Sequence, residues 1–221
     1  MKTRCSLRPK MNRAFTLIEL LVVIAVIALL AGLLIPVMSS ISTRQIKVVA
    51  RSEMQQVVTA IEAYKAAWGT YPPDNPTNAI PNPLFVELSG TTNGVLNPLL
   101  RTYTTLGETN AKFDSDQLKQ ALNVGGLINT GVSTRGNDEQ RPPMIFLKEL
   151  KPTQVALVRG VPVLLCSQQW TRPGANGDNP WRYVSSHPTN NPNAYDLWID
   201  LYVNGKTQRI CNWSKDPISV P

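Results

Sequence analysis

From Leu20 to Met38 the chain runs nineteen residues without a charge, and Pro36 is the only helix-breaker among them. Wound as a helix from Phe15, at about 1.5 Å per residue, this stretch is long enough to cross a hydrocarbon core of about 30 Å. A secretory signal peptide has a shorter apolar region, about 7–15 residues, closed by a small-residue cleavage site. Here the run continues through Pro36-Val37-Met38 into a helical pattern. One acid, Glu19, interrupts the apolar character at its start. A carboxylate at the centre of a membrane helix costs about 2.5–3.5 kcal/mol, so it is expected to be paired and functional. A plain anchor has no need of it. A cut between Ala14 and Phe15 would place a new amine one helical turn before Glu19, in the same chain or within reach from a neighbouring copy.

Charge supports this organisation and argues against a nucleic-acid partner. The formal net charge is +7, from 22 basic and 15 acidic residues. Five of the basic residues, Lys2, Arg4, Arg8, Lys10 and Arg13, precede the proposed cut and no acid accompanies them. Without those five, 17 basic residues face 15 acids and the balance falls to +2. The basicity therefore reads as a topology signal. Positive charge stays on the cytoplasmic side, so everything after Met38 is expected to be exported, and Arg44, Lys47 and Arg51 weaken the contrast without reversing it. Cys5 belongs to the leader, which leaves Cys166 and Cys211 in the exported part. An oxidising compartment permits a disulfide between them, worth up to about 4 kcal/mol on the chain-entropy model. The alternative is that each is a small buried hydrophobe.

The segment Ala14-Phe15-Thr16-Leu17-Ile18-Glu19 and its apolar helix resemble the class III signal of type IV pilins and type II secretion pseudopilins. The resemblance implies that a prepilin peptidase cuts before Phe15 and methylates its amine. It also implies that Glu19 pairs with the N-terminal amine of an adjacent subunit during fibre assembly, and that Pro36 is the family's proline. Two positions depart from the pattern: Ala14 stands where the family usually has Gly, and Ala28 where pilins often have Gly. The close approach of packed helices would use small residues such as Ala25, Ala28, Ala31 and Gly32.

Beyond Met38 the helical period persists. Ile46, Ala50, Val57, Ile61, Tyr64 and Trp68 form one apolar stripe, while Gln45, Arg51, Gln55, Gln56, Glu62 and Lys65 largely avoid it. Gly69 and Tyr71-Pro72-Pro73 stop the helix. Thr70 to about Pro98 is rich in Pro and Asn and reads as a surface loop, with Leu84 to Leu88 as a short insertion. Leu99 to Leu106 reads as extended and Ser115 to Leu122 as a short helix capped by Asp114 or Ser115. Phe146 to Leu150 reads as a helical turn or two, and Val161 to Cys166 and Trp181 to Val184 as strands. Asn204-Gly205 marks a two-residue hairpin. With Val203 opposite Lys206, its register sets Asp200 against Arg209, Ile199 against Ile210 and Trp198 against Cys211.

The expected fold is α+β, a pilin fold in which the distal half of one long N-terminal helix packs on a small antiparallel sheet. Four segments follow: leader 1–14, membrane and assembly half 15–38, amphipathic half 39–68, and exported globular domain 69–221. Within the last, 74–160 reads as a variable insertion and 161–213 as the sheet. Asn179-Pro180-Trp181-Arg182-Tyr183 and Asp196-Leu197-Trp198-Ile199-Asp200 are loosely similar, with altered spacing, to the C-terminal part of major pseudopilins. That family holds calcium near its C-terminus, which makes Asp196 and Asp200, with Asp178 nearby in sequence, weak calcium candidates. Asp200 is more simply the partner of Arg209, and no metal or cofactor is favoured.

Other chemistry finds little footing. His187 beside Ser186 lacks the third group that would hold an imidazole productively. One histidine and two separated cysteines do not make a zinc site alone. Gly125-Gly126 lacks the Lys and Ser or Thr of a phosphate loop. Tyr183, Tyr195, Trp198, Tyr202 and Trp213, with Arg182, Lys206 and Arg209, could form an aromatic and basic face that stacks sugars or single-stranded nucleic acid. A sheet burying one face against the helix is the simpler reading. The expected function is thus a structural subunit, not an enzyme. It would be a prepilin peptidase substrate that sits in the bacterial inner membrane with its C-terminal domain outside, joins a helical fibre with other pilins or pseudopilins, and engages an assembly platform. A secretion pseudopilin is favoured; a type IV pilus subunit serving adhesion, motility or DNA uptake, and a membrane-tethered binding module, are the alternatives.

Overall fold

The computed structural model describes residues 16–97, 100–107, 109–132, 142–171, 174 and 177–220, with the side chains of 33–42, 95–97, 100 and 132 outside the description. The chain divides into two units, Met1–Arg44 and Gln45–Pro221. Helix α1, Leu17–Trp68, begins in the first and ends in the second. Its backbone is helical through Pro36.

In the first unit, the large apolar side chains of α1 from Leu17 to Leu30 are all exposed; even Val23, the least exposed of them, shows 47% of its surface. A helix that is apolar all round needs a nonaqueous or protein neighbour. Among the described residues no helix is long and apolar enough to cross a membrane. The run's continuation from Leu33 lies outside the described side chains.

In the second unit the amphipathic stripe is realised. Ala50, Met54, Val57, Ala60, Ile61 and Tyr64 are buried at intervals of three and four, the repeat that keeps one helical face turned inward. Each large side chain buried this way contributes about 1.5–3 kcal/mol. Glu53 lies on the same face and is also buried, with its carboxylate accepting from the Ser167 amide (3.0 Å) and hydroxyl. The helix stops as the sequence requires, at Gly69 with φ +81°.

The segment after α1 is not the expected surface loop. Asp74, Asn75 and Asn82 are buried, and α2, Leu84–Ser89, is buried along its whole length. The polar side chains act as braces. Asp74 accepts from the amides of Ser185 and Ser186, and Asn82 donates to the Trp181 carbonyl at 2.7 Å. The following residues build a sheet: β1 (Thr91–Asn97), β2 (Leu100–Thr105), β3 (Lys112–Asp114) and β4 (Thr130–Val132), in the order β3-β2-β1-β4. Its pairings are antiparallel except β1 with β4, which is parallel. Helix α3, Ser115–Leu122, starts at Asp114, whose carboxylate accepts from the Gln117 amide while the Gln117 side chain accepts from the Asp114 amide. This reciprocal cap satisfies two otherwise orphaned donors. The segment read as a variable insertion thus carries two helices, a sheet and part of the core.

Phe146 to Leu150 does not form the expected helical turns. The Phe146 and Leu147 amides both donate to the Leu88 carbonyl, and Glu149 takes a left-handed backbone at φ +57°. A 3-10 turn, Pro152–Gln154, then leads into the hairpin β5 (Val155–Val158) and β6 (Val161–Leu164). The C-terminal sheet has the order β10-β9-β8-β7, from β7 (Arg182–Val184), β8 (Asp196–Val203), β9 (Lys206–Cys211) and β10 (Ile218–Val220). The β8–β9 register is the one read from Asn204-Gly205, with Val203 against Lys206, Asp200 against Arg209, Ile199 against Ile210 and Trp198 against Cys211. Both turn residues have positive φ (+52° and +75°), which is why Asn and Gly occupy them. Leu197, Ile199, Leu201 and Val203 alternate onto the core face.

Candidate functional site

The start of α1 carries the geometry most directly tied to the sequence signal. Thr16 precedes the first helical residue, and Glu19 is the third residue of the helix. The Glu19 carboxylate accepts from the Thr16 amide at 2.8 Å and from the Thr16 hydroxyl at 2.7 Å. The Glu19 amide in turn donates to Thr16 Oγ1 at 3.3 Å. This is a capping box at the head of an apolar helix, where a negative charge is also favoured by the helix dipole. The sequence signal for it is Thr-x-x-Glu before an apolar run, which a reading focused on the buried acid passes over. The same carboxylate thus closes the helix end within a single chain. Ala14 and Phe15 lie outside the described residues, as does the side chain of Pro36.

The other candidate residues are separated by the fold. Cys166 and Cys211 are free buried thiols, so the disulfide considered from the sequence is not formed. Cys166 follows β6 by two residues, inside the main core, whereas Cys211 sits on β9 opposite Trp198, outside that core cluster. Burial raises the pKa of both thiols, which keeps them protonated and poorly nucleophilic.

Asp196 and Asp200 are each held by donors of the protein. Asp196 accepts from the amides of Thr189, Asn190 and Asn191 and from the Asn190 side chain, all at 2.9 Å. Asp200 receives a two-pronged contact from Arg209 at 2.8 and 3.1 Å, with Arg182 at 3.9 Å. Donors aimed at these oxygens occupy the lone pairs a cation would need. Asp178 is exposed, and among the described residues no cluster of three His, Cys, Asp or Glu side chains could hold a metal. The bond to Asp200 raises the Arg209 pKa, while burial lowers that of Arg182.

The Ser186 hydroxyl donates to Asp74 at 2.9 Å, and His187 is exposed. The aromatic set also splits. Tyr183 and Tyr195 are buried in the core, with Tyr183 donating to the Pro72 carbonyl at 2.8 Å. Trp198 packs edge-on against Trp213 with Arg209 over its ring, and Tyr202 pairs with Trp170.

One polar cluster was not legible beforehand. Glu87 on α2 is completely buried, and its carboxylate accepts from Tyr64 Oη of α1, the Ile128 amide and the Asn129 amide, each at 2.9 Å. Asn129 completes the knot by donating to the Glu87 and Met144 carbonyls at 2.7 Å. Burial outweighs these donors and raises the Glu87 pKa; burial together with the adjacent Glu87 charge pushes Tyr64 far above the usual phenol range. The cluster ties α1 to the sheet of β1 to β4 and touches no open site, so its role is structural.

Residues 9–35 match the family model described as the prokaryotic N-terminal methylation motif. The chain therefore carries a type IV pilin-like prepilin signal, the class of signal that a prepilin peptidase processes. The motif supports a pilin-like or pseudopilin structural subunit over an enzyme, and implies a membrane-anchored or exported protein. No curated protein and no solved structure matches the chain significantly. The α+β architecture is compatible with a pilin fold.

Proposed function

We propose that this protein is the structural subunit of a pilus-like fibre, and specifically a pseudopilin of a type II secretion system. The observation that carries the reading is the methylation motif at residues 9–35 coinciding with a helix whose first turn holds Glu19 at an exposed, capped N-terminus. In this proposal the peptidase cuts between Ala14 and Phe15 and methylates the Phe15 amine. The subunit waits in the inner membrane, with the apolar start of α1 embedded and the rest outside. Assembly then brings Glu19 against the Phe15 amine of a neighbour. The pairing strengthens as the helices exclude water, because the same charges interact more strongly at low dielectric. The apolar faces that are exposed in the single chain find partners in the bundle, where Ala25, Ala28, Ala31 and Gly32 permit close packing. The Gly69-Thr70-Tyr71-Pro72 transition and the loose C-terminal resemblance favour a secretion pseudopilin over a type IV pilus subunit.

Two measurements test this. Mass spectrometry of the membrane-derived protein is expected to show N-methyl-phenylalanine at Phe15 as the first residue. Glu19→Ala is expected to leave the protein in the membrane and remove it from sheared fibres. A protein that still begins at Met1, or fibres that grow normally with Glu19→Ala, would refute the assembly account. A tethered binding module predicts the second of those outcomes.

A further inference from the structure

We propose that the exported unit binds one free long-chain fatty carboxylate in a cavity that plays no part in the fibre reading. The cavity, of about 740 Å³, opens among α2, the turn after β2 and the segment leading into β5. That volume falls within the range of about 300–1,000 Å³ typical of small-molecule sites. Its floor is formed by buried Phe85 and Leu147, its walls include Leu106 and Ile145, and Leu157 of β5, 64% exposed, stands at its edge.

Positive charge also lines this apolar space, on the segment leading into β5. Lys148 and Lys151 line the cavity, both are exposed, and neither makes an ion pair among the described residues. Among the described residues, one acid, Glu149, lines the cavity beside them. The loop bearing them is held in place. The Phe146 and Leu147 amides are fixed on the Leu88 carbonyl, and Lys151 and Gln154 exchange hydrogen bonds, amide to side chain and amide to carbonyl, at 2.9 Å each. A hollow lined by buried apolar side chains and by two exposed cations complements a molecule that is apolar along its length and anionic at one end. A flat protein partner would use the cations but leave the hollow unfilled. A neutral alkyl chain would fill the hollow and leave the lysines idle.

The test is photolabelling of the full-length protein in phosphatidylcholine nanodiscs, followed by peptide mapping. Three probes are compared: diazirine-bearing palmitic acid, the corresponding palmityl alcohol, and a phosphatidylcholine with the same diazirine tail. The acid is expected to label the peptides covering 142–165, competed by unlabelled palmitate, about fivefold more than the alcohol, as two partly exposed ion pairs allow. Lys148→Ala with Lys151→Ala is expected to bring the acid down to the level of the alcohol. Leu157→Gln, at an exposed position that tolerates a polar side chain, is expected to weaken both probes. Far-UV circular dichroism confirms that the variants are folded. Equal labelling by acid and alcohol overturns the proposal, as does acid labelling confined to residues 17–32. Preferential labelling by the phospholipid would assign the cavity to a membrane headgroup, and protection of the cavity by a cross-linked second copy would assign it to a subunit contact; either result also overturns it.

Discussion

Removing the Glu87 carboxylate should be among the most damaging single changes available in the second unit, Gln45–Pro221. Glu87→Ala orphans two buried donors, Tyr64 Oη and the Asn129 amide, and the part-buried Ile128 amide. Each unsatisfied buried group costs about 1–3 kcal/mol. Relief of the buried charge offsets part of that sum, so the expected loss is about 3–5 kcal/mol, the range for breaking one partner out of a buried charged cluster. Tyr64→Phe removes a single donor to the carboxylate and should cost about 1.5–3 kcal/mol. Because the two residues share one bond, the double variant should cost less than the sum of the single variants, by about 1 kcal/mol or more. Urea unfolding of the protein in mild detergent, followed by tryptophan fluorescence, measures all three. The pH dependence supplies an independent check. Burial raises the folded-state pKa of Glu87 above the usual carboxylate value. Its contribution to stability is therefore complete below that usual value and is lost as pH rises through the raised one. Glu87→Gln should abolish that part of the decline. A Glu87→Ala variant within about 1 kcal/mol of the parent, or a pH profile unchanged in Glu87→Gln, would refute the assignment of this cluster as the brace between α1 and the first sheet.

Two further outcomes are expected. Asp200→Ala should lower stability by about 1.5–3 kcal/mol, because Arg209 and the more buried Arg182 lose their shared counter-charge; a thermal unfolding midpoint that does not move would count against the pairing. Cys166 and Cys211 should both react with a thiol reagent only in denaturant, and the intact mass before and after reduction should be the same; rapid labelling of the native protein, or a mass gain of two hydrogens on reduction, would contradict the buried free thiols.

What was legible in the sequence was local. Register across β8 and β9 follows from Asn204-Gly205, since a two-residue turn leaves one pairing that keeps Leu197, Ile199, Leu201 and Val203 on one face. The α3 cap is written within four residues, Asp114 to Gln117. The stripe of α1 and its stop at Gly69 depend only on helical period and on a backbone that glycine tolerates. The Thr16–Glu19 box was equally available from spacing.

The sequence by itself determined the long helix, the acid in its first turn and the C-terminal hairpin, because each is specified by neighbours a few residues apart. Tertiary structure alone decided what residues 74–160 do. The stretch Thr91–Asn97 alternates no clear apolar residues, and it becomes a strand through β2 on one side and β4 on the other. Glu87 has no visible reason to be buried until the Ile128 and Asn129 amides, about forty positions on, come to meet it. Asp74 likewise waits for Ser185 and Ser186, more than a hundred residues away. The same distance effect separated Cys166 from Cys211: two thiols on one chain say nothing of which sheet each will join. Buried polar groups must find partners, but composition does not reveal which ones, and only the folded chain brings them within hydrogen-bonding reach.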